Sequence, residues 1–371
     1  MAFYPLSGYA VWSVGEASAA NAKARSHSVA TWSHFHGHAH KHADETGLVV
    51  WAAGRGWITH SGYAPYGTAY RTPIEGWLGG NAPHGEGEAP DRTRRSTLLG
   101  SASAPMTMLV DVRRSTADGV GYRRQIASLS GRLWLVIDQP TGVVPWSVTE
   151  TLWTFYPDLR LESQGSNRFL LRDDKSHAMS VAVVAGGGVE AGTSLHSGSR
   201  QPFAGWLATD QGMVSAPALR VLVPARGWTA TLFDTRGAAV ALDLRLTDGE
   251  NWQASGEGWQ LRREGARLVS GFGGEHEEVA VVAPPDTGKA RAAIEASLKS
   301  TLSAYPKYRN LDDYRLRAAA LLAGLWLAQV LAYLALQRQL KRRGWTAAAQ
   351  AMIVLFWGGV AVWLGASYFA R

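Results

Sequence analysis

Five histidines stand at every second position of one stretch: His34, His36, His38, His40 and His42. In an extended strand alternate side chains share a face. This spacing therefore predicts a ladder of five imidazoles, with Phe35, Gly37, Ala39 and Lys41 facing the other way. Imidazole is the commonest neutral metal ligand and the side chain that titrates nearest neutrality. Such a ladder can bind a metal ion, move a proton, or do both. A surface tract that takes up metal non-selectively has the same composition. An expression tag fits poorly, because the tract is internal and its histidines are interleaved with other residues.

Two further histidines lie where a fold can bring them to the end of the ladder. Residues 47–53 read as a buried strand, 54–56 as a turn and 57–60 as the return strand. A hairpin brings distant strand ends together, so His42 and His60 are expected to meet. His84 lies in the Gly- and Pro-rich stretch 61–100, and a connection of that length in a compact domain is usually functional. Three imidazoles with an open fourth position make a Zn²⁺ site, which makes His42, His60 and His84 candidate ligands. His27, His177, His196 and His276 read as solvated surface residues.

The elements that must position these groups are strands. The chain has 371 residues and no cysteine, which excludes disulfides and thiolate metal sites. Its net charge of +7 suits an acidic partner: polyanionic sugar, anionic lipid or nucleic acid. It carries no nucleic-acid-binding motif, so nucleic acid is not expected. Glycine, tryptophan and tyrosine are plentiful (41, 16 and 12) among short apolar runs, which argues for an all-β fold. Aromatic faces also stack on pyranose rings, although most of the tryptophans serve equally well as core residues. From 105 to 282, short strands alternate with turn signals such as Asp118-Gly119, Ser130-Gly131 and Asp248-Gly249. The spacing predicts a large antiparallel β-sandwich over residues 1–283. The N-terminus has no secretory signal, and residues 9–14 alternate like a strand, as if the chain began in mid-fold.

A linker, 284–317, follows. Within it, Ala290, Ile294, Leu298 and Leu302 recur at the spacing of an amphipathic helix over 289–304. The runs 318–336 and 347–369 are apolar, with Gln329 and Gln350 as their only strongly polar members. Each is long enough to cross a bilayer core, so 318–371 reads as a hairpin of two transmembrane helices. Trp345, Trp363 and Tyr368 fit interfacial anchors. The basic loop 337–344 is expected on the cytoplasmic side and the β domain outside. Lys307, Arg309, Arg315 and Arg317 before the first run reduce that asymmetry.

The sequence His40-Lys-His-Ala-Asp44, the strand beginning Leu48-Val-Val-Trp51, and Trp57-Ile-Thr-His-Ser-Gly-Tyr63 together resemble the C-terminal β-sandwich of heparinase II/III-type polysaccharide lyases. The family pattern is His-x-His-x-Asp, a strand, a Gly turn, an apolar pair followed by Asp-x-Gly, and a later His in a long loop. The likeness continues through residues 122–126, 133–138 and 152–161 and ends at Gly205-Trp206 and the strands after it, covering roughly residues 5–245. It implies β-elimination on a uronate-containing acidic polysaccharide. It places His40 in the acid/base or carboxylate-neutralising set, with His38 beside it at the substrate. His42 and His84 would ligate one largely structural Zn²⁺ per chain, and His60 would replace the family's Asp ligand. Asp44 would orient a ligand histidine. Tyr63, Tyr66, Tyr70 and Arg71, in the next loop, would contact sugar.

Two departures stand beside the resemblance. The family carries a helical (α/α)-toroid before the sandwich that supplies catalytic residues, and this sequence has none. A separate toroid chain or a missing N-terminal domain would supply it. The transmembrane hairpin is also outside the family pattern. A non-catalytic, membrane-tethered module for acidic glycan therefore remains an alternative. So does a metal-binding membrane protein that uses the whole ladder.

Overall fold

Short runs of apolar and β-branched residues, punctuated by glycine turns, pair as antiparallel ladders. The computed structural model describes residues 1–14, 26–32, 42–90, 95–115, 119–237 and 241–290, with further positions between 292 and 357. His34, His36, His38 and His40 lie outside the described residues.

The first sheet runs, in spatial order, Ala2–Tyr4, Tyr9–Val14, Ser26–Thr31, Leu48–Ala52, Arg55–Thr59, Val148–Phe155, Pro217–Pro224 and Gly192–Ser197. A two-residue strand, His84–Gly85, is added on Val148–Phe155. The second sheet runs Arg160–Gly165, Arg168–Arg172, Ala178–Gly186, Trp228–Asp234, Leu133–Thr141, Gly121–Leu129, Thr107–Ser115 and Arg95–Ser103. The third is a five-stranded meander from Asp243–Leu246 to Glu275–Ala280.

The second sheet is the middle layer, and Leu133–Thr141 shows why. Trp134 and Val136 enter a core shared with Trp12, Trp32, Trp57 and Trp153 of the first sheet. Leu133, Leu135 and Ile137 point the other way, into a core with Trp252, Trp259 and Leu261 of the third. With both faces buried, the strand is a continuous apolar run instead of an alternating one. Each large apolar side chain fully buried here contributes about 1.5–3 kcal/mol, which accounts for the use of most of these tryptophans. The third sheet is covered on one face, and Trp259–Glu264 accordingly alternates buried with exposed.

The stretch 61–100 is less open than its composition implies. It holds a short helix, Arg71–Glu75, and a 3₁₀ turn, Trp77–Gly79. The helix has one buried residue, Ile74, so periodicity does not betray it. Pro73 sits in its first turn, where a backbone N–H is not required. At Gly79 a Cβ would stand 1.8 Å from the Ile74 carbonyl oxygen, so only glycine permits this return of the chain.

The chain divides into two units, Met1–Thr287 and Gly288–Arg371. In the second, the described positions of 288–297 are helical, where the amphipathic helix is expected. The two apolar runs lie largely outside the described residues, and no helix among the described residues is long and apolar enough to cross a membrane. Their described positions are helical, apart from the turn and Trp345 between them. Trp357 Nε1 donates to Gln329 Oε1 (2.8 Å) and Gln350 Nε2 donates to the Tyr333 hydroxyl (2.9 Å). The strongly polar residue of each run is thus bonded to an aromatic residue of the other. The two bonds nest around a turn at Gly344, whose φ of 67° is the left-handed conformation that ends helices.

Candidate functional site

The strand Arg55–Thr59 delivers His60 at the end from which the chain enters Leu48–Ala52, and His42 lies on that entering segment. The two rings meet edge to face with centroids 5.0 Å apart. The Gly62 N–H donates to His60 Nδ1 at 3.0 Å. That bond makes Nδ1 the acceptor of the ring and puts a neutral ring's proton on Nε2. The Tyr63 ring lies 5.7 Å from His42.

From Tyr63 the cluster continues without a break. Its hydroxyl donates to the Tyr66 hydroxyl (2.6 Å) and accepts from Arg71 Nη2 (2.7 Å). The Arg71 guanidinium lies 3.7 Å from the Tyr66 ring centroid and 4.4 Å from that of Tyr63. It also donates to the Ala64 carbonyl (2.8 Å) and pairs with Glu75 one helical turn on. Burial alone would lower the Arg71 pKa; the bond to Tyr63 and the charge of Glu75 raise it above its ordinary value. The Tyr66 hydroxyl is pushed up, first by its hydrogen bond with Tyr63 and then by burial.

Tyr70, which precedes the helix, extends the cluster. Its ring packs against Trp206 and Phe203 (centroids 4.8 and 6.3 Å). Arg200 Nη2 donates to its hydroxyl at 3.0 Å, and the Arg200 side chain is exposed. Arg200, Phe203 and Trp206 come from two small hairpins, Ser199–Arg200 with Phe203–Ala204 and Trp206–Thr209 with Gly212–Ser215. They are not among the candidates read from the sequence. The one signal available is Gly205-Trp206 within the resemblance.

The loops that carry this cluster are held from beneath. Asn81 bonds the backbone of Leu48 through both ends of its amide (2.6 and 2.8 Å). Arg124, fully buried, forks onto Asp138 (2.6 and 2.7 Å) and donates to the carbonyls of Thr46 (2.9 Å) and Asn81 (2.6 Å). Arg114, also buried, holds Glu88 and the Pro83 carbonyl. Further bonds run from Ala43 to Glu75, from Ser61 to Gly79 and from Ala208 to Ser61. Asp44 opens the turn before Leu48, its carbonyl accepting from Gly47 N–H and the Thr31 hydroxyl.

His84 does not join His42 and His60. Strand pairing sets it opposite Glu150, stacked on Trp77, with Nε2 4.0 Å from the carboxylate and Nδ1 donating to the Ala82 carbonyl at 3.1 Å. Burial depresses its pKa, with Glu150 opposing. Among the described residues, no three His, Asp or Glu side chains gather so as to hold a metal ion. The zinc site expected from His42, His60 and His84 is therefore not assembled by those three residues. His38 and His40, expected at the substrate, lie outside the described residues.

No family model and no curated protein matches the sequence. Among solved structures the chain is similar to heparan sulfate lyase HepC from Pedobacter heparinus, with a TM-score of 0.56 and 11% identity over 75% of this chain and 41% of that one. It is similar also to heparinase III, with a TM-score of 0.55 and 14% identity over 74% of this chain and 42% of that one. The chain thus has a heparinase III-like β-sandwich and spans about two-fifths of the length of those lyases.

Proposed function

We propose that this chain is the sandwich part of a polysaccharide lyase that cleaves uronate-containing acidic glycan by β-elimination while anchored in a membrane. The observation that carries the reading is the unbroken run of His42, His60, Tyr63, Tyr66 and Arg71, continued by Tyr70 and Arg200, on a lyase-like fold.

The reaction removes the proton on C5 of the uronate. The electrons of that C–H bond form the C4–C5 double bond as the C4–O bond breaks, and the departing oxygen takes a proton. Three aids are needed: a cation at the carboxylate, a base for the proton and an acid for the leaving oxygen. Arg200 is the exposed cation that pairs with the carboxylate, while Tyr70, Phe203 and Trp206 pack the sugar. Tyr63 is the proton-transfer hydroxyl, because the Arg71 guanidinium donating to its oxygen stabilises the charge left when its proton moves. His42 and His60 stand beside it. By resemblance, His38 and His40 belong to the same set, and a separate toroid chain or preceding domain would close the cleft over it.

The test is incubation with uronate polysaccharides, watching ultraviolet absorbance of unsaturated uronate ends, with and without an added toroid domain. A rise abolished by Tyr63→Phe is expected. Absence of any rise under every condition would overturn the lyase reading. The exposed Arg200 beside Tyr70 serves equally a second reading, a non-catalytic acidic-glycan module, which predicts glycan retention with no new unsaturated ends.

The membrane anchor is supported by the two apolar runs and by the paired bonds Gln329–Trp357 and Gln350–Tyr333, which satisfy polar groups across a helical hairpin as a bilayer requires. The basic loop 337–344 supports a reading with the hairpin turn in the cytoplasm and the sandwich outside. Protease added to intact spheroplasts should digest the sandwich; complete protection would reverse this placement.

A further inference from the structure

A second cleft, of about 530 Å³, opens at the far end of the hairpin that carries His60. That volume lies in the range of small-molecule sites, roughly 300–1,000 Å³. Trp51 and Gly56 are cross-strand partners, so their side-chain directions share a face. A Cβ on Gly56 would stand 2.2 Å from the Tyr156 ring, so that ring lies over the glycine, next to Trp51. Trp51 faces outward, 41% exposed, on a strand whose alternate residues fill the core. The floor of the cleft is thus a pair of aromatic groups held open to solvent.

The polar wall is built on a fixed frame. Buried Arg55 bridges Asp158 (2.7 Å) and Asp173 (2.5 Å). Asp173 also accepts from His177 Nδ1 (2.8 Å) and from the backbone of Lys175 and His177. Burial pushes the Asp173 carboxyl up, and these bonds overcome it and hold the group well below the usual carboxylate range. In front of the frame, Asp158 and Asp174 present side chains that are 71% and 78% exposed, the first held by Arg55 and the second paired with Arg160 at 2.9 Å, each carboxylate keeping lone pairs toward solvent. Three carboxylates stand against Arg55, Arg160 and Lys175, so the wall is balanced in charge and lacks the unpaired positive field of the Arg200 region. No three of its groups form a metal-binding set.

We infer that this cleft is a binding site for a neutral sugar residue. The apolar C–H face of a pyranose packs on Trp51 and Tyr156. Its hydroxyls donate to Asp158 and Asp174, carboxylates that can only accept. A uronate brings a carboxylate of its own to a wall whose three carboxylates already occupy Arg55 and Arg160, and is disfavoured. The site would hold the neutral units of a mixed glycan about one hairpin length from the proposed cleavage site. The inference does not depend on lyase activity.

Calorimetric titration of the full chain in detergent tests it, with cellotetraose, mannotetraose, a galacturonate tetrasaccharide and a glucosamine tetrasaccharide as probes. Binding of at least one neutral probe is expected. It should weaken about tenfold in Trp51→Ala and measurably in Asp174→Ala, and stay unchanged in Arg200→Ala. Both cleft substitutions are at exposed side chains, and matching melting curves establish that the variants fold. No neutral binding at millimolar concentration, or binding indifferent to Trp51→Ala and Asp174→Ala, would overturn the inference. So would glucosamine or galacturonate probes binding more tightly than the neutral ones in a Trp51-dependent manner.

Discussion

Arg124 and Arg71 have the same chemistry and opposite circumstances. Arg124 is fully buried, its partner Asp138 is nearly so, and its donors are spent on a carboxylate and on the Thr46 and Asn81 carbonyls. Arg71 is partly exposed, pairs with a partly exposed Glu75 and lies between two tyrosine rings at the surface. The first can only hold loops in place. The second can change what a neighbouring hydroxyl does to a ligand. Burial, not residue type, separates the two roles, and the first makes the second possible by fixing the loops on which His42 and the Tyr63–Arg71 segment stand.

The comparison can be broken or sharpened by substitution. Arg124→Leu leaves Asp138 buried without its cation and should destabilise the fold by about 3–5 kcal/mol, read by urea unfolding. A loss below about 1 kcal/mol would mean that the pair is not the anchor described. Replacing both partners, Arg124→Met with Asp138→Leu, removes the stranded charge and should recover part of that loss. It should not recover all of it, because the Thr46 and Asn81 carbonyls lose a donor at about 1–3 kcal/mol each. Arg71→Leu should cost only about 1 kcal/mol of stability. Turnover of uronate polysaccharide should nonetheless fall by on the order of 100-fold. Equal losses in stability and none in turnover would make Arg71 a second structural arginine.

The smallest expected effect concerns pH. Burial holds His84 below its ordinary imidazole value of 6.5. Through that range the unfolded chain binds the proton that the folded chain refuses, so stability falls as pH drops from about 7 to about 5. His84→Gln should flatten that slope in urea unfolding at the two pH values. An unchanged slope would show that His84 takes up its proton in the folded state, paired with Glu150.

Much of the architecture is legible in the primary structure because sheet burial writes itself as period two, or as a continuous apolar run where both faces are covered. The run Leu133-Trp-Leu-Val-Ile137 reads as a strand on that ground, though not as the middle of three layers, since nothing local states what covers each face. The meeting of His42 with His60 follows from hairpin geometry and is equally readable. The helix Arg71–Glu75 is not, because five residues with one buried side chain carry no period. Arg200, Phe203 and Trp206 lie about 130 residues from Tyr70, and no local pattern links them.

Residue types and spacing were sufficient to select many of the strands, the hairpin that delivers His60 and the tyrosines and arginine beside it, but not strands such as Arg95–Ser103, Arg160–Gly165 and Gly192–Ser197. The place of His84 was settled only by long-range pairing. His84 fits a metal tripod by type and by loop length, yet backbone hydrogen bonds to Val148–Phe155 set it against Glu150 instead. Side-chain chemistry is carried by each residue, but proximity is a property of sheet register, and register is set by core burial summed over the whole domain.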